Sequence, residues 1–190
     1  MDLTDIDASA WAELEMAAAD PQSGFRYLNL CSVDAETRPQ ARMVVLRGAD
    51  KSARRLEFHT DTLSPKWREL FANPHVTVLS FSAESRLQLR LQGKVELHGP
   101  GSGAADAAWD KLPARTRMTY TGGPPGEERV FETIDTAEPA DEAEAKARFG
   151  VLIFRAWTLD WFQLRQQDNQ RALFCYDEAG ALSDCRWVNP

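Results

Sequence analysis

The chain is short of cysteine, histidine, long apolar runs and positive charge, and each shortage closes off a class of protein. Its three cysteines, Cys31, Cys175 and Cys185, form no C-x-x-C pair. So odd and sparse a set argues against a disulfide framework and offers no zinc-ligand spacing, so free thiols are expected and no metal site. The three histidines, His59, His75 and His98, show no metal-ligand spacing, and none stands beside a nucleophile motif. No apolar stretch approaches the ~20 residues of a membrane span. The first residues carry Asp2 and Asp5 where a secretory leader is basic, so a cytoplasmic chain with no membrane partner is expected. A net charge of −7 makes a poor general ligand for nucleic acid, because neutralisation of phosphates supplies most non-specific affinity. With no G-x-G-x-x-G and no Walker sequence, a Rossmann or P-loop reading has no support.

What is present reads as one globular domain over residues 1–190, with 43% apolar and 27% charged residues. An N-terminal helix is predicted within 1–20. Thr4 and Asp7 have capping-box-like spacing, and Ile6, Ala10, Leu14 and Ala17 fall on one face. Strand-like runs follow at 25–33, 40–46, 55–60 and 76–81, the first two joined by a turn at Asp34–Thr37. The clearest strand is 86–98. Leu87, Leu89, Leu91, Val95 and Leu97 share one face, Gln88, Arg90, Gln92, Lys94 and Glu96 the other, and Gly93 marks a bulge or bend. Short helices are predicted after Ser64, an N-cap followed by Pro65 at the first helical position, and over 104–112. The Gly/Pro-rich stretch 113–140 is predicted as a long loop, and strands resume at 151–164, 171–176 and 185–188. Many short strands around a two-faced central one predict a mostly β fold, an antiparallel barrel with a few helices.

The chemistry-bearing residues are cations in unusual places. Arg42 and Arg47 bracket the apolar run Met43-Val44-Val45-Leu46, and Lys66 stands in the first turn of the Ser64 helix. A cation there opposes the helix dipole at a cost of about a few tenths of a kcal/mol. Either Lys66 points into water, or a bound anion answers it together with the helix amides, the Ser64 hydroxyl and Arg42.

The order of the pieces carries a resemblance. Arg-Met-Val-Val-Leu-Arg (Arg42–Arg47) precedes His-Thr-Asp (His59–Asp61), Ser-Pro-Lys-Trp-Arg-Glu-Leu (Ser64–Leu70), Ala-Asn-Pro (Ala72–Pro74) and Gln-Leu-Arg-Leu-Gln-Gly (Gln88–Gly93). This series resembles the pyridoxamine 5′-phosphate oxidase family, homodimeric split β-barrels that bind flavin mononucleotide (FMN). The likeness covers about residues 25–98 and resumes over 159–171. It implies that Arg42, Ser64 and Lys66 hold the FMN phosphate. The backbone of Met43, Val44 and Val45 would run beside the flavin ring, with Arg47 near its reactive side. His59 and Thr60 would line the cofactor, and Gln88 would hydrogen-bond it. Trp161 and Arg171 keep the ten-residue offset of a family Trp and Arg that reach the flavin from the second subunit.

The departures concern the substrate. Gln167-Asp168-Asn169 stands where the family has Arg-Leu-His, so a cation and an imidazole are replaced by Gln167 and Asn169. Trp109, Pro113 and Arg117 fall where the family has Tyr, Arg and Ser, Arg47 replaces a Lys, and Pro65 replaces an Arg. Arg115 and Arg117 remain candidates for some other anion. The resemblance thus implies an FMN-dependent oxidoreductase of unidentified substrate, acting as a homodimer without nucleic acid. A non-catalytic flavin or haem carrier or sensor is the alternative, and true pyridoxamine phosphate oxidation is a third, weaker reading.

Overall fold

A computed structural model describes residues 2–128 and 141–190. Helix α1 (Leu3–Ala19) buries Ile6, Ala10, Trp11, Leu14 and Ala17, the predicted stripe with Trp11 added. The predicted capping box is not formed. Thr4 donates to the Asp2 side chain. Asp7 is instead buried, accepting from the Tyr176 hydroxyl at 2.5 Å and pairing with Arg54 at 2.6 Å. The acid three residues into the helix is spent on anchoring α1 to the barrel.

The strands are β1 (Tyr27–Val33), β2 (Pro39–Val45), β3 (Gly48–Asp50), β4 (Arg55–Asp61), β5 (His75–Ser82), β6 (Leu87–His98), β7 (Phe149–Gln163), β8 (Gln170–Tyr176) and β9 (Leu182–Val188). They form one curled antiparallel sheet in the order β2-β1-β5-β6-β7-β4-β3, with β8 and β9 added on β7. The fold is therefore mostly β, as the alternation predicts. Helix α2 (Pro65–Ala72) links β4 to β5. Between β6 and β7 lie α3 (Gly103–Lys111), α4 (Ala114–Arg117), a 3-10 turn at Met118–Tyr120, and α5 (Glu142–Arg148). The expectation of one long loop over 113–140 is thus corrected over 114–120, where short helices pack Tyr120 against Trp109 and Phe149. Residues 129–140 of that predicted loop lie outside the described residues. Among the described residues no helix is long and apolar enough to cross a membrane.

β7 splits the barrel. One of its edges pairs with β6 over Val151–Gln163. The other pairs with β4 over Phe149–Arg155 and with β8 over Thr158–Gln163. Between these halves the register shifts, with Gln92 opposite Thr158 and Gly93 opposite Ala156, leaving Trp157 as the extra residue. One extra residue reverses side-chain parity. Leu152, Phe154 and Ala156 face the core before the bulge, and Leu159 and Trp161 after it. Gly93 permits this crossing, since a Cβ there would lie 1.9 Å from the Arg155 carbonyl oxygen.

Candidate functional site

The first turn of α2 sets a cation among hydroxyls, with no acidic partner in contact among the described residues. Ser64 has the extended backbone of an N-cap, but its hydroxyl accepts from no helix amide. It donates to the Asp61 carbonyl at 2.6 Å, turning aside from the predicted capping role. The Lys66 ammonium donates to Thr60 Oγ1 at 2.7 Å and reaches Ser64 Oγ at 3.3 Å. It makes no ion pair among the described residues. Burial lowers the Lys66 pKa, and the nearby positive charge of Arg42 lowers it further. A half-buried ammonium answered by hydroxyls, beside a second cation, is a setting that suits an anion.

Arg42 is close but committed. Its guanidinium pairs with Glu69 at 2.6 Å and donates to Ser32 Oγ at 2.5 Å. Arg47 forms no side-chain hydrogen bond or ion pair among the described residues. Its charge acts on Tyr120, a residue that sequence reasoning missed. Burial pushes the Tyr120 phenol up to about 12, with Arg47 pulling it down and Asp61 pushing it up, so its neutral hydroxyl lies within reach of both their fields. Asp61 forms a buried ion pair with Arg148, which also donates to the carbonyls of Gly122 and Gly123. That pair pins the described part of the loop after Tyr120 near α2, where Gly126 approaches Pro65.

The predicted residues fall into two groups within one chain. Thr60, Ser64 and Lys66 meet at the end of β4, with Arg42 nearby. His59 lies next to Thr60 in the strand, but neighbours in a strand face opposite ways. Its ring packs on Phe149 at 5.0 Å, Nε2 meets Glu57 at 2.9 Å, and Nδ1 is buried without a partner among the described residues. The imidazole therefore does not join Lys66. β2 ends the strand order, so among the described residues one edge of its backbone meets no strand. Met43 is exposed, whereas the Val44 side chain belongs to the core and Val45 is half-buried.

Gln88 and Arg171 form the second group, both opposite Phe162. Thr60 pairs with Gly150 and Arg171 with Phe162, positions separated along β7 by roughly 40 Å of contour at ~3.3 Å per residue. Trp161 does not join Arg171. It is buried on the core face, opposite Leu89 and Ala172 and edge-on to Trp187 at 6.4 Å. The aromatic beside Arg171 is Phe162, whose ring the guanidinium approaches to 6.0 Å. Arg171 and Arg90 share the buried carboxylate of Asp160.

The speculative substrate residues do not converge. Arg117 pairs with Glu142 at 2.6 Å and lies over Trp109. Arg115 is exposed. Gln167 and Asn169 sit in the exposed β7–β8 turn, where Asn169 Oδ1 accepts from the Arg165 amide at 2.8 Å.

Comparison with known proteins agrees with this architecture. The sequence profile of the pyridoxamine 5′-phosphate oxidase FMN-binding domain matches residues 8–99. A pyridoxine/pyridoxamine 5′-phosphate oxidase of Bordetella petrii is 31% identical over 143 residues, covering 75% of this chain and 63% of that protein. One from Ralstonia pickettii is 31% identical over 155 residues, covering 79% of this chain and 69% of that protein. Among solved structures, a pyridoxamine 5′-phosphate oxidase-related, FMN-binding protein of Nostoc punctiforme superposes with a TM-score of 0.79 at 25% identity, over 96% of both chains. PhzG of Burkholderia lata shares the fold, with a TM-score of 0.70 at 18% identity over 99% of this chain and 88% of that one. The chain spans a little under two thirds of the Bordetella protein's length. With its split sheet and these relatives, the chain belongs to the pyridoxamine 5′-phosphate oxidase family and carries that family's FMN-binding domain.

Proposed function

We propose that this chain is an FMN-dependent oxidoreductase that works as a cytoplasmic homodimer on a substrate other than pyridoxamine 5′-phosphate. The carrying observation is the Lys66 ammonium, half-buried and answered only by hydroxyls among the described residues. Lys66 would hold the cofactor phosphate through its ammonium and its backbone amide, together with Ser64. Arg42 would contribute once its bond with Glu69 is shared. The free edge of β2 would flank the ring, with Arg47 and Tyr120 on its reactive side. Bound FMN supplies hydride and electron transfer.

The separation of Lys66 from Gln88 and Arg171 along β7 supports a site completed by a second copy. Each chain would give the phosphate cradle to one cofactor and the Arg171 group to the other. The substrate reading rests on residues 167–169. The curated relatives are pyridoxine/pyridoxamine 5′-phosphate oxidases, but here the family's cation and imidazole are replaced by Gln167 and Asn169. A lost charge-assisted bond to phosphate weakens binding by about 1.5–3 kcal/mol. That same loss also favours the second reading, a flavin carrier without turnover.

The absorption spectrum of the purified protein, with mass identification of the extracted ligand, tests the cofactor. A flavin spectrum and an FMN mass are expected. A colourless protein that takes up no added FMN refutes the proposal. Reduction of the bound flavin by NADH or NADPH with turnover on an acceptor favours the enzyme over the carrier. Hydrogen peroxide release on adding pyridoxamine 5′-phosphate overturns the substrate reading, and a monomer by sedimentation overturns the shared site.

A further inference from the structure

We infer that Asp160, which no sequence motif singles out, is a positioning residue. It sets the guanidinium of Arg171 in a fixed plane on the outward face of the sheet, ready for a cofactor held by a second copy of the chain. The inference rests on the reading that Arg171 meets the cofactor.

Asp160 lies beyond the β7 bulge on the face opposite Leu159 and Trp161. Across the sheet its neighbours are Arg90 on β6 and Leu173 on β8. Among the described residues no layer covers this face, yet the Asp160 side chain is only 4% exposed. Two longer side chains cover it. Arg171 donates through Nε to Oδ1 at 2.9 Å and through Nη2 to Oδ2 at 2.8 Å. Arg90 donates through Nη2 to Oδ2 at 2.6 Å.

The two-point fork fixes the Arg171 plane, and the Phe162 ring lies beside it. A fork through Nε and Nη2 occupies one edge of a guanidinium and leaves the Nη1 edge with its donors unspent. No partner for Nη1 occurs among the described residues. Two cations on one carboxylate also leave a net positive charge on an outward face. Burial alone would push the Asp160 carboxyl up, but the bonds and charges of Arg171 and Arg90 outweigh it and hold the group below the ordinary carboxylate range. A simple surface ion pair contributes about 0–1 kcal/mol and has no need of a buried carboxylate. What the arrangement supplies is a preset donor edge, so that little side-chain freedom remains to be lost on binding.

The test measures FMN affinity by flavin fluorescence for the full-length protein and for Asp160→Asn, Asp160→Glu, Arg171→Gln, Arg90→Gln and the double variant D160N/R171Q. Asp160→Asn and Arg171→Gln are each expected to weaken binding about tenfold, the loss typical of one charge-assisted hydrogen bond. The double variant should bind no worse than Arg171→Gln alone. Arg90→Gln leaves the Arg171 fork intact and should stay within about twofold of the parent. The midpoint potential of bound FMN should rise in Asp160→Asn, because a negative charge near the ring is removed; a purely structural residue would leave it unmoved. If Asp160→Asn fails to fold, Asp160→Glu and the double variant D160E/R171Q decide, since a displaced fork weakens binding in the parent and not beside Arg171→Gln.

Weak binding by Arg171→Gln with parent-like binding by Asp160→Asn overturns the inference and spares the reading of Arg171. Additive losses in the double variant overturn it likewise. Parent-like binding by Arg171→Gln sinks the reading of Arg171 and the inference with it. No FMN binding by the unaltered protein sinks the proposed function.

Discussion

Replacing Lys66 by methionine should weaken FMN binding and leave the cofactor-free protein as stable as before or slightly more so. On the proposed reading the two effects have opposite signs, because the ammonium would serve a ligand and not the fold. In the cofactor-free protein its partners are Thr60 Oγ1 and Ser64 Oγ. Neither hydroxyl is stranded when the ammonium goes, because each also donates to the Asp61 carbonyl, at 3.3 and 2.6 Å. Methionine keeps most of the apolar stem. What is removed is a charge that burial and Arg42 already disfavour. The expected change in folding stability is about 0–1 kcal/mol on the stabilising side, a rise in Tm of roughly 0–4 °C for a chain of this size. Loss of one charge-assisted bond to phosphate, about 1.5–3 kcal/mol, weakens FMN about 10- to 150-fold. Thermal melts without cofactor and fluorescence titrations with it measure the two effects separately. FMN binding at parental affinity refutes the phosphate role. A Tm drop of many degrees without cofactor means that Lys66 serves the fold, and refutes the reasoning as well.

Further predictions follow from the same contacts. Folding lowers the Lys66 pKa, so the ammonium form is disfavoured in the free protein, and a bound phosphate would raise it again. Binding then takes up a proton, so FMN affinity should be greatest below the lowered pKa and fall as pH climbs through it towards 10.5, the ordinary lysine value. Lys66→Arg, which stays charged, should flatten that fall in a pH series of titrations. Gly93→Ala should cost about 3 kcal/mol or more in urea unfolding, because its Cβ would meet backbone at 1.9 Å. Parent-like unfolding would mean that the β6–β7 crossing is looser than drawn. Arg54→Met leaves Asp7 buried without its cation and should cost about 3–5 kcal/mol. A loss under ~1 kcal/mol would show that the Tyr176 hydroxyl alone satisfies the carboxylate.

How much of this was legible in the sequence follows from the reach of each signal. The alternation of Leu87, Leu89 and Leu91 reads directly as the central strand, and Ser64-Pro65 as a helix start, because these signals lie within one element. The three-residue β3 is too short to show a period. α5, Glu-Ala-Glu-Ala-Lys-Ala-Arg, has only alanines to mark a buried face. Asp7 had the spacing of a cap, but its partners, Arg54 and Tyr176, are brought to it by the fold. The same holds for Asp61 with Arg148 and for Asp160 with Arg90, where a lone acid in a strand predicts nothing until the register is known. The meeting of Thr60, Ser64 and Lys66 was legible because they fall within seven residues of chain. That Trp161 and Arg171 lie on opposite faces was not legible, because the bulge at Trp157 reverses which residues of β7 face outward, and nothing in Phe149–Gln163 announces that reversal.

That bulge also explains how a small barrel keeps Lys66 and Arg171 apart, as the proposed pair of half-sites requires. Before Trp157 the free edge of β7 belongs to β4, whose last residues place Thr60 and Asp61 beside α2. After it the edge belongs to β8, which brings Arg171 alongside Asp160. A straight strand of constant parity would carry the residue at position 160 inward, into a core already filled by Leu89, Leu91 and Phe174. A carboxylate there would be buried with no arginine able to reach it. The extra residue turns Asp160 outward and Trp161 inward in one step, and the absence of a side chain at Gly93 makes room for it. The geometry of the Arg171 group is thus set by a glycine on the neighbouring strand that touches none of its members.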